Sequence, residues 1–463
     1  MNIIRIVVLL LTINAYDSHA QNIFRSACQG NVQRLDSMLH DTPIDIQDNR
    51  GRTLMHWAVA CRQQEVFDYL IDQNIAINSQ DHQGKTAMHV AIEYDNEAYF
   101  DLVTNSQTKS SWVTPYGASL LELAILKRNN LFIKKLIDQG VDIDAKTDRG
   151  RTALEIAHNI GATQIDSLLK SLGADSTLIR TMVAEGTYFG QKKPDMIKKI
   201  FAPNFISIEE YEYGSIFNEA GDEFYYGVDI NGKAEMRFTQ LIDNQWSKPK
   251  TILSHERWGY NDPFLSPDEQ RLYFISQRPL DGNSEPKQDH DIWYVERSQD
   301  GWSEPLNAGP QINTTGNEYY ISFTNEGTMY FSSNRDAPDD RSYDQDIYYS
   351  ESVDGIFQKP VRLGDAINTV DYEADVFIDP QERYMIFCST RDEGLGRGDL
   401  YVSFKTDDGS WSQSVNMGPD INTVNHELCP FVTADGNYLL YTSNEDIYWV
   451  SIDVIDRLRT VKN

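Results

Sequence analysis

Apolar positions follow two different rhythms along the chain. Up to about residue 175 they recur three and four positions apart, as in VFDYLID from Val66 and LFIKKLID from Leu131. That spacing gathers them on one face of a helix. From about Glu210 onward they come instead in short runs rich in Tyr, Phe and Trp, broken by Gly, Asp and Pro. Such runs predict strands joined by tight turns. The first half therefore predicts short amphipathic helices and the second half predicts sheets.

The helical half repeats itself. DNRGRTLMHWAV from Asp48 aligns without a gap with DHQGKTAMHVAI from Asp81, and DRGRTALEIAH from Asp148 joins them. Gly51, Gly84, Gly117 and Gly150 are spaced by 33 residues, as are Ala58, Ala91, Ala124 and Ala157. The glycine permits the positive φ of a tight turn, and the small alanine lets neighbouring helices approach. On these residues the segment 22–175 resembles ankyrin repeats over its whole length. It has a degenerate first repeat (ACQGNVQRLDSML), three full ones and a closing one that ends at LKSLGAD; in the fourth, SSWVTPYGAS lacks the Asp before the turn. The resemblance implies that Thr53 with His56, and Thr86 with His89, form a hydroxyl–imidazole hydrogen bond that caps a helix. Glu122 and Glu155 replace the histidine later. It also implies a stack whose concave surface binds proteins. The capping slot accounts for His56 and His89 better than a metal site does.

The sheet half repeats too. Five hairpins align on their turns, at IFNEAGDEFYYG (Ile216), FLSPDEQRLYFIS (Phe264), SFTNEGTMYFSS (Ser322), FIDPQERYMIFCS (Phe377) and FVTADGNYLLYTS (Phe431). A third strand follows in DIWYVERS, DIYYSESV, DLYVSFKT and DIYWVSID, with KAEMRFTQLI as the loose version, and a fourth follows a turn in segments such as QWSKPKTIL and GWSEPLNAG. Four strands per repeated unit predict a β-propeller. The pattern resembles TolB-like, WD-like propeller repeats over roughly 260 residues. The expected count is five blades, with six as the alternative. The fifth unit lacks a fourth strand, and KIFAPNFISIEEYE from Lys199 is expected to supply it from the other end. The fold class is thus a multidomain α plus all-β protein, with a signal peptide at 1–20, ankyrin repeats at 22–175, a linker at 176–198 and the propeller at 199–459.

One phrase recurs at the blade junctions: INTTGNE from Ile312, INTVDYE from Ile367 and INTVNHE from Ile421. It is expected to end each outer strand and lead into the next innermost strand, with Asn313, Asn368 and Asn422 bonding the connecting backbone and Glu318, Glu373 and Glu427 near the mouth of the channel. The favoured role is blade-to-blade fastening. Arg278, Arg335 and Arg391, each in a Ser-x-Arg, are expected to pair with Asp291, Asp346 and Asp399 across a loop. His255, His290 and His426 fall in loops on the same face, but without metal-ligand spacing. These glutamates, arginines and histidines form the candidate interaction face.

Other features narrow the setting. Arg5, an apolar run from Ile6 to Ile13 and small residues at Ser18 and Ala20 predict a cleaved signal peptide, with the cut after Ala20. No run is long enough to span a bilayer, so the mature chain is expected to be periplasmic or secreted. A formal charge of −29 argues against nucleic acid. Of four cysteines, Cys388 and Cys429 either pair in an oxidising compartment or remain buried thiols. No catalytic, metal or cofactor motif is found: there is no G-x-S-x-G elbow, H-E-x-x-H or Walker loop. The expected function is a non-enzymatic scaffold for envelope or extracellular proteins. The alternative is a glycan-binding or glycan-processing propeller, which would require carboxylates facing an open cavity.

Overall fold

The computed structural model describes residues 18–460, apart from 83, 106–119, 148–149, 180–183, 209, 231, 300 and 339–343. The leader up to residue 17, the fourth-repeat turn with Gly117 and part of the loop around Asp339 lie outside the described residues. The chain divides into two compact units, Met1–Thr181 and Met182–Asn463.

The first unit is a stack of helix pairs: Ser18–Cys28 with Val32–Leu39, Leu54–Ala60 with Gln64–Asp72, Ala87–Glu93 with Glu97–Asn105, Leu120–Leu126 with Asn130–Asp138, and Ala153–Asn159 with Thr163–Ser171. Ala58, Ala91, Ala124 and Ala157 are wholly buried, and the first helices of successive pairs lie against one another. A larger side chain there would force the close-packed repeats apart. Gly51 takes a φ of 77°, and a Cβ on it would meet the His82 backbone nitrogen at 2.8 Å. The predicted caps are present. His56 Nδ1 accepts from the Thr53 amide at 3.1 Å and lies 2.9 Å from Thr53 Oγ1; His89 does the same with Thr86 at 3.2 and 2.9 Å. With Nδ1 accepting, His56 Nε2 carries the proton and donates to the Lys85 carbonyl of the next repeat at 2.9 Å.

A disulfide joins Cys28 to Cys61, 33 residues apart with Cα atoms 5.1 Å apart. Repeat stacking explains it, because the two cysteines end the first helices of adjacent pairs. Cys388 and Cys429, the pair considered from sequence, are free and buried.

The second unit takes in much of the stretch expected to be a linker. Phe189 stacks on Trp246 with ring centroids 4.1 Å apart, the Trp246 amide donates to the Ala184 carbonyl at 2.8 Å, and Tyr188 donates to Asp435 at 2.7 Å. The aromatic side chains draw residues 184–190 into the propeller core. Five antiparallel sheets follow. From the inside outward the first holds Tyr211–Phe217, Glu223–Asp229, Ala234–Ile242 and Lys250–Leu253; the second holds Asn261–Leu265, Arg271–Ser276, Asp291–Ser298 and Leu306–Asn307. The third holds Glu318–Phe323, Met329–Ser333, Asp346–Ser350 and Val361–Arg362, and the fourth Glu373–Ile378, Tyr384–Ser389, Asp399–Phe404 and Val415–Asn416. The fifth holds Leu428–Val432, Tyr438–Ser443 and Asp446–Ser451, and its outer strand is Lys199–Ile200, pairing Lys199 with Trp449 and Ile200 with Tyr448. Adjacent innermost strands touch in order and the last touches the first, so the ring has five blades rather than six. Closing it with a strand that precedes the first blade in the chain leaves no open seam between first and last blade.

Every innermost strand is interrupted at one place. Two residues after the position held by Glu212, Tyr260, Glu318, Glu373 and Glu427, the register slips and φ turns positive: 54° at Gly214, 52° at Asp262, 40° at Tyr320, 53° at Asp375 and 53° at Cys429. Only the first is the glycine this backbone favours. Four side chains are thus held in a strained bulge around the axis.

Candidate functional site

The recurring phrase fastens the blades. Asn368 uses its side-chain amide as a piece of backbone: Oδ1 accepts from the Ile347 amide at 2.8 Å, and Nδ2 donates to the Ile347 carbonyl at 3.0 Å. Asn313 treats Ile292, and Asn422 treats Leu400, in the same way. Each extends its third strand where the outer strand has ended. In the closing segment Ser207 stands in this place and reaches the Ile447 carbonyl at 3.5 Å.

Glu318, Glu373 and Glu427 are 0% exposed. Glu373 accepts from the Thr369 amide and hydroxyl, both at 2.7 Å, from Ser389 at 2.9 Å and from Arg391 Nε at 3.2 Å. Glu318 is held likewise by Thr314, Ser333 and Arg335, and Glu427 by Thr423 and Ser443. Burial raises the carboxyl pKa of Glu318 and Glu373, and the hydrogen bonds oppose that shift. These carboxylates are consumed inside the fold.

The arginines do not make the expected pairs. Arg335 and Arg391 turn to the glutamates and also donate to the Ile312 and Ile367 carbonyls at 2.6 and 2.8 Å. The aspartates, two of them as buried as the glutamates, already have other partners, which leaves the arginines to the enclosed glutamates. Asp346 takes Arg362 at 2.7 and 2.8 Å, Asp399 accepts the Leu395 and Gly396 amides, and Asp291 binds Lys287 and Asn307. In the second blade Tyr260 replaces the glutamate, and Arg278 lies over Trp258 and Trp293 instead. The fifth blade has no arginine. Lys198, just before the closing strand, donates to the Ile421 carbonyl at 2.7 Å, the counterpart of Ile312 and Ile367. Burial lowers its pKa and the nearby Glu427 charge raises it. Sequence alignment of blades could not find Lys198, because it lies more than 200 residues from the strands it serves.

The three histidines stay apart. His255 stacks on Trp258 with centroids 3.5 Å apart. His426 Nε2 lies 3.3 Å from Cys388 Sγ, and burial pushes its pKa down to about 4. His290 lines a cavity, its Nδ1 3.3 Å from the Tyr319 hydroxyl. Among the described residues no group of three His, Cys, Asp or Glu is placed to hold a metal ion.

That cavity sits on the propeller axis, at the end where the innermost strands begin, and measures about 310 Å³. The bulges build it. Asp262, Asp375 and Cys429 project into it, with Tyr211, Tyr213 and Tyr319 beside them. Cys429 Sγ lies 3.4 Å from Asp262 Oδ1, and the Tyr213 hydroxyl donates to Asn261 at 2.6 Å. Burial raises the pKa of both aspartates, to about 6 for Asp262 and about 7 for Asp375, whose shift also owes to the Asp262 charge. Sequence reasoning passed over this site. Its only signal was the alignment column two residues after the recurring glutamate, which reads Gly, Asp, Tyr, Asp, Cys. A larger groove of about 610 Å³ lies between the second and third blades at the opposite end, lined by Arg271, Tyr273, Arg297 and Phe323 among others.

A family model, ankyrin repeats (3 copies), matches residues 23–111. No curated protein matches the chain. The first unit therefore carries ankyrin repeats, and the second is a five-bladed propeller.

Proposed function

We propose that this ankyrin-repeat and propeller chain is an exported, non-catalytic scaffold whose stack and TolB-like propeller each present a surface to envelope or extracellular proteins. The observation that carries the reading is a set of aliphatic tips on one face of the propeller. Leu280 and Val370 are each 72% exposed, Val424 79% and Leu395 50%. Leu280 and Leu395 lie in loops from second to third strand, and Val370 and Val424 in crossings to the next innermost strand. Chain direction places all four at the end that opens the axial pocket. Exposed aliphatic side chains gathered at one end of a rigid scaffold suit a protein partner. Export is supported by the Cys28–Cys61 disulfide, which suits an oxidising compartment, and by the charged, apolar and small-residue order of the first 20 residues. No described helix is long and apolar enough to cross a membrane. Glu318, Glu373 and Glu427, the carboxylates first considered for a glycan site, are enclosed and paired within the fold.

The test is capture from an envelope extract by the immobilised chain, compared with a variant carrying Leu280→Asp, Val370→Asp and Val424→Asp. Identified proteins retained by the parent and lost by the variant support the scaffold reading. Retention of glycan without protein overturns it. Export is checked separately by the N-terminal residue of chain recovered from the envelope, expected to be Gln21.

A further inference from the structure

The axial pocket is a second feature of the same end of the propeller, and its chemistry is more specific than an apolar surface. We propose that it binds an organic cation, seating an alkylammonium or guanidinium group between the Asp262 and Asp375 carboxylates and the rings of Tyr211, Tyr213 and Tyr319. Asp262 is only 8% exposed. Its one hydrogen-bond partner among the described residues is a thiol, Cys429 Sγ on Oδ1; Oδ2 has none. Neither aspartate has a cationic partner among the described residues, and no lysine or arginine lines the cavity.

Elsewhere in the propeller Glu318 and Glu373, both 0% exposed, each receive an arginine, and Glu427, which receives none, is held by Thr423 and Ser443. Buried carboxylates without a cation are costly unless they hold a proton or receive a counter-charge from outside. The raised pKa of both aspartates has that cost as its cause. Tyrosine faces supply the second half of cation recognition, because the ring quadrupole attracts an ammonium or guanidinium group that has left water. Tyr211 and Tyr213 lie with centroids 5.3 Å apart, and Tyr319 flanks the other side beside His290. Asp229, His290 and Cys429 also line the cavity, but among the described residues no three His, Cys, Asp or Glu converge as calcium or zinc would require. A cavity of about 310 Å³ is at the small end of ligand sites and suits a short amine or one long basic side chain.

Calorimetric titration of the whole chain at about pH 8, where both aspartates are largely ionised, tests this with n-butylammonium, agmatine and 1-pentanol, a neutral alcohol of similar size. The expected result is binding of both cations at least about tenfold tighter than pentanol, and a loss of about tenfold or more in Asp375→Asn and Asp262→Asn. The two asparagine variants keep the side-chain shape, and melting curves recorded alongside check that they fold. Equal binding of pentanol, binding unchanged in both variants, or no cation binding up to tens of millimolar would overturn the proposal. A peptide, acetyl-Gly-Lys-Gly-amide, separates the sources: its binding assigns the pocket to a basic side chain from a partner, while binding of butylammonium alone assigns it to free amines. The scaffold reading stands or falls apart from this one, since capture of proteins depends on the aliphatic tips.

Discussion

Glu373 and Asp375 stand two residues apart on one strand, and the fold treats them in opposite ways. The glutamate is enclosed with four hydrogen-bond donors, one of them an arginine. The aspartate sits at a bulge, faces Asp262 across the axis and has no cation. A buried charge with a full set of partners holds a structure together, and one without them is held by the structure around it. Fastening recurs from blade to blade, in Glu318, Glu373 and Glu427. The axial column differs in every blade but for its two aspartates. Repetition marks what each blade needs, and departure from it marks what only the assembled ring can use.

The contrast yields predictions that run from large to small. Glu373→Ala strands Arg391 and two hydroxyls in the interior and should cost about 3–5 kcal/mol in denaturant unfolding. A loss under about 1 kcal/mol would mean that the fastener is dispensable. Asp375→Asn should move stability the other way. Its parent carboxylate is harder to ionise in the fold than in the unfolded chain, so removing the charge should gain on the order of 2 kcal/mol near pH 8.

The sign fixes a pH profile. A carboxyl whose folded pKa is raised favours the fold fully below the unfolded value, near pH 4, and that contribution is lost as pH climbs through about 6 and about 7. The stability difference between the parent and the Asp262→Asn, Asp375→Asn double variant should therefore be near zero at about pH 4 and widen in favour of the variant up to about pH 8. A flat difference would show that the two groups ionise as they do in water. Smallest of all, Lys198→Met should cost about 1–2 kcal/mol, because it removes a charge-assisted bond to the Ile421 carbonyl and leaves Glu427 its threonine and serine. A loss matching that of Glu373→Ala would place Lys198 on a par with the arginines.

Several of these parts were legible in advance. The 33-residue spacing located the helical repeats and the threonine–histidine caps, because each repeat must solve the same packing problem with the same residues. The blade alignment placed the strands and the closing segment, down to Ser207 in the place of an asparagine. It was right that the recurring phrase fastens blades. The arginine partners were misassigned, since Asp291, Asp346 and Asp399 are near in sequence while the glutamates are near in space. The Cys28–Cys61 disulfide carries no signal in a cysteine pattern of its own, and only the 33-residue repeat length relates its two cysteines.

The sequence by itself determined the two halves, their periods and the residues that each unit reuses, because local hydrogen bonding and apolar periodicity depend on neighbours along the chain. Only the tertiary structure decided which carboxylates are satisfied. It brought Lys198 to the last blade, Cys28 to Cys61 and Asp262 to face Asp375 across an axis that exists only once the ring has closed. Those relations depend on distances between segments far apart in sequence, and the balance of desolvation against pairing at a buried charge is set by that geometry.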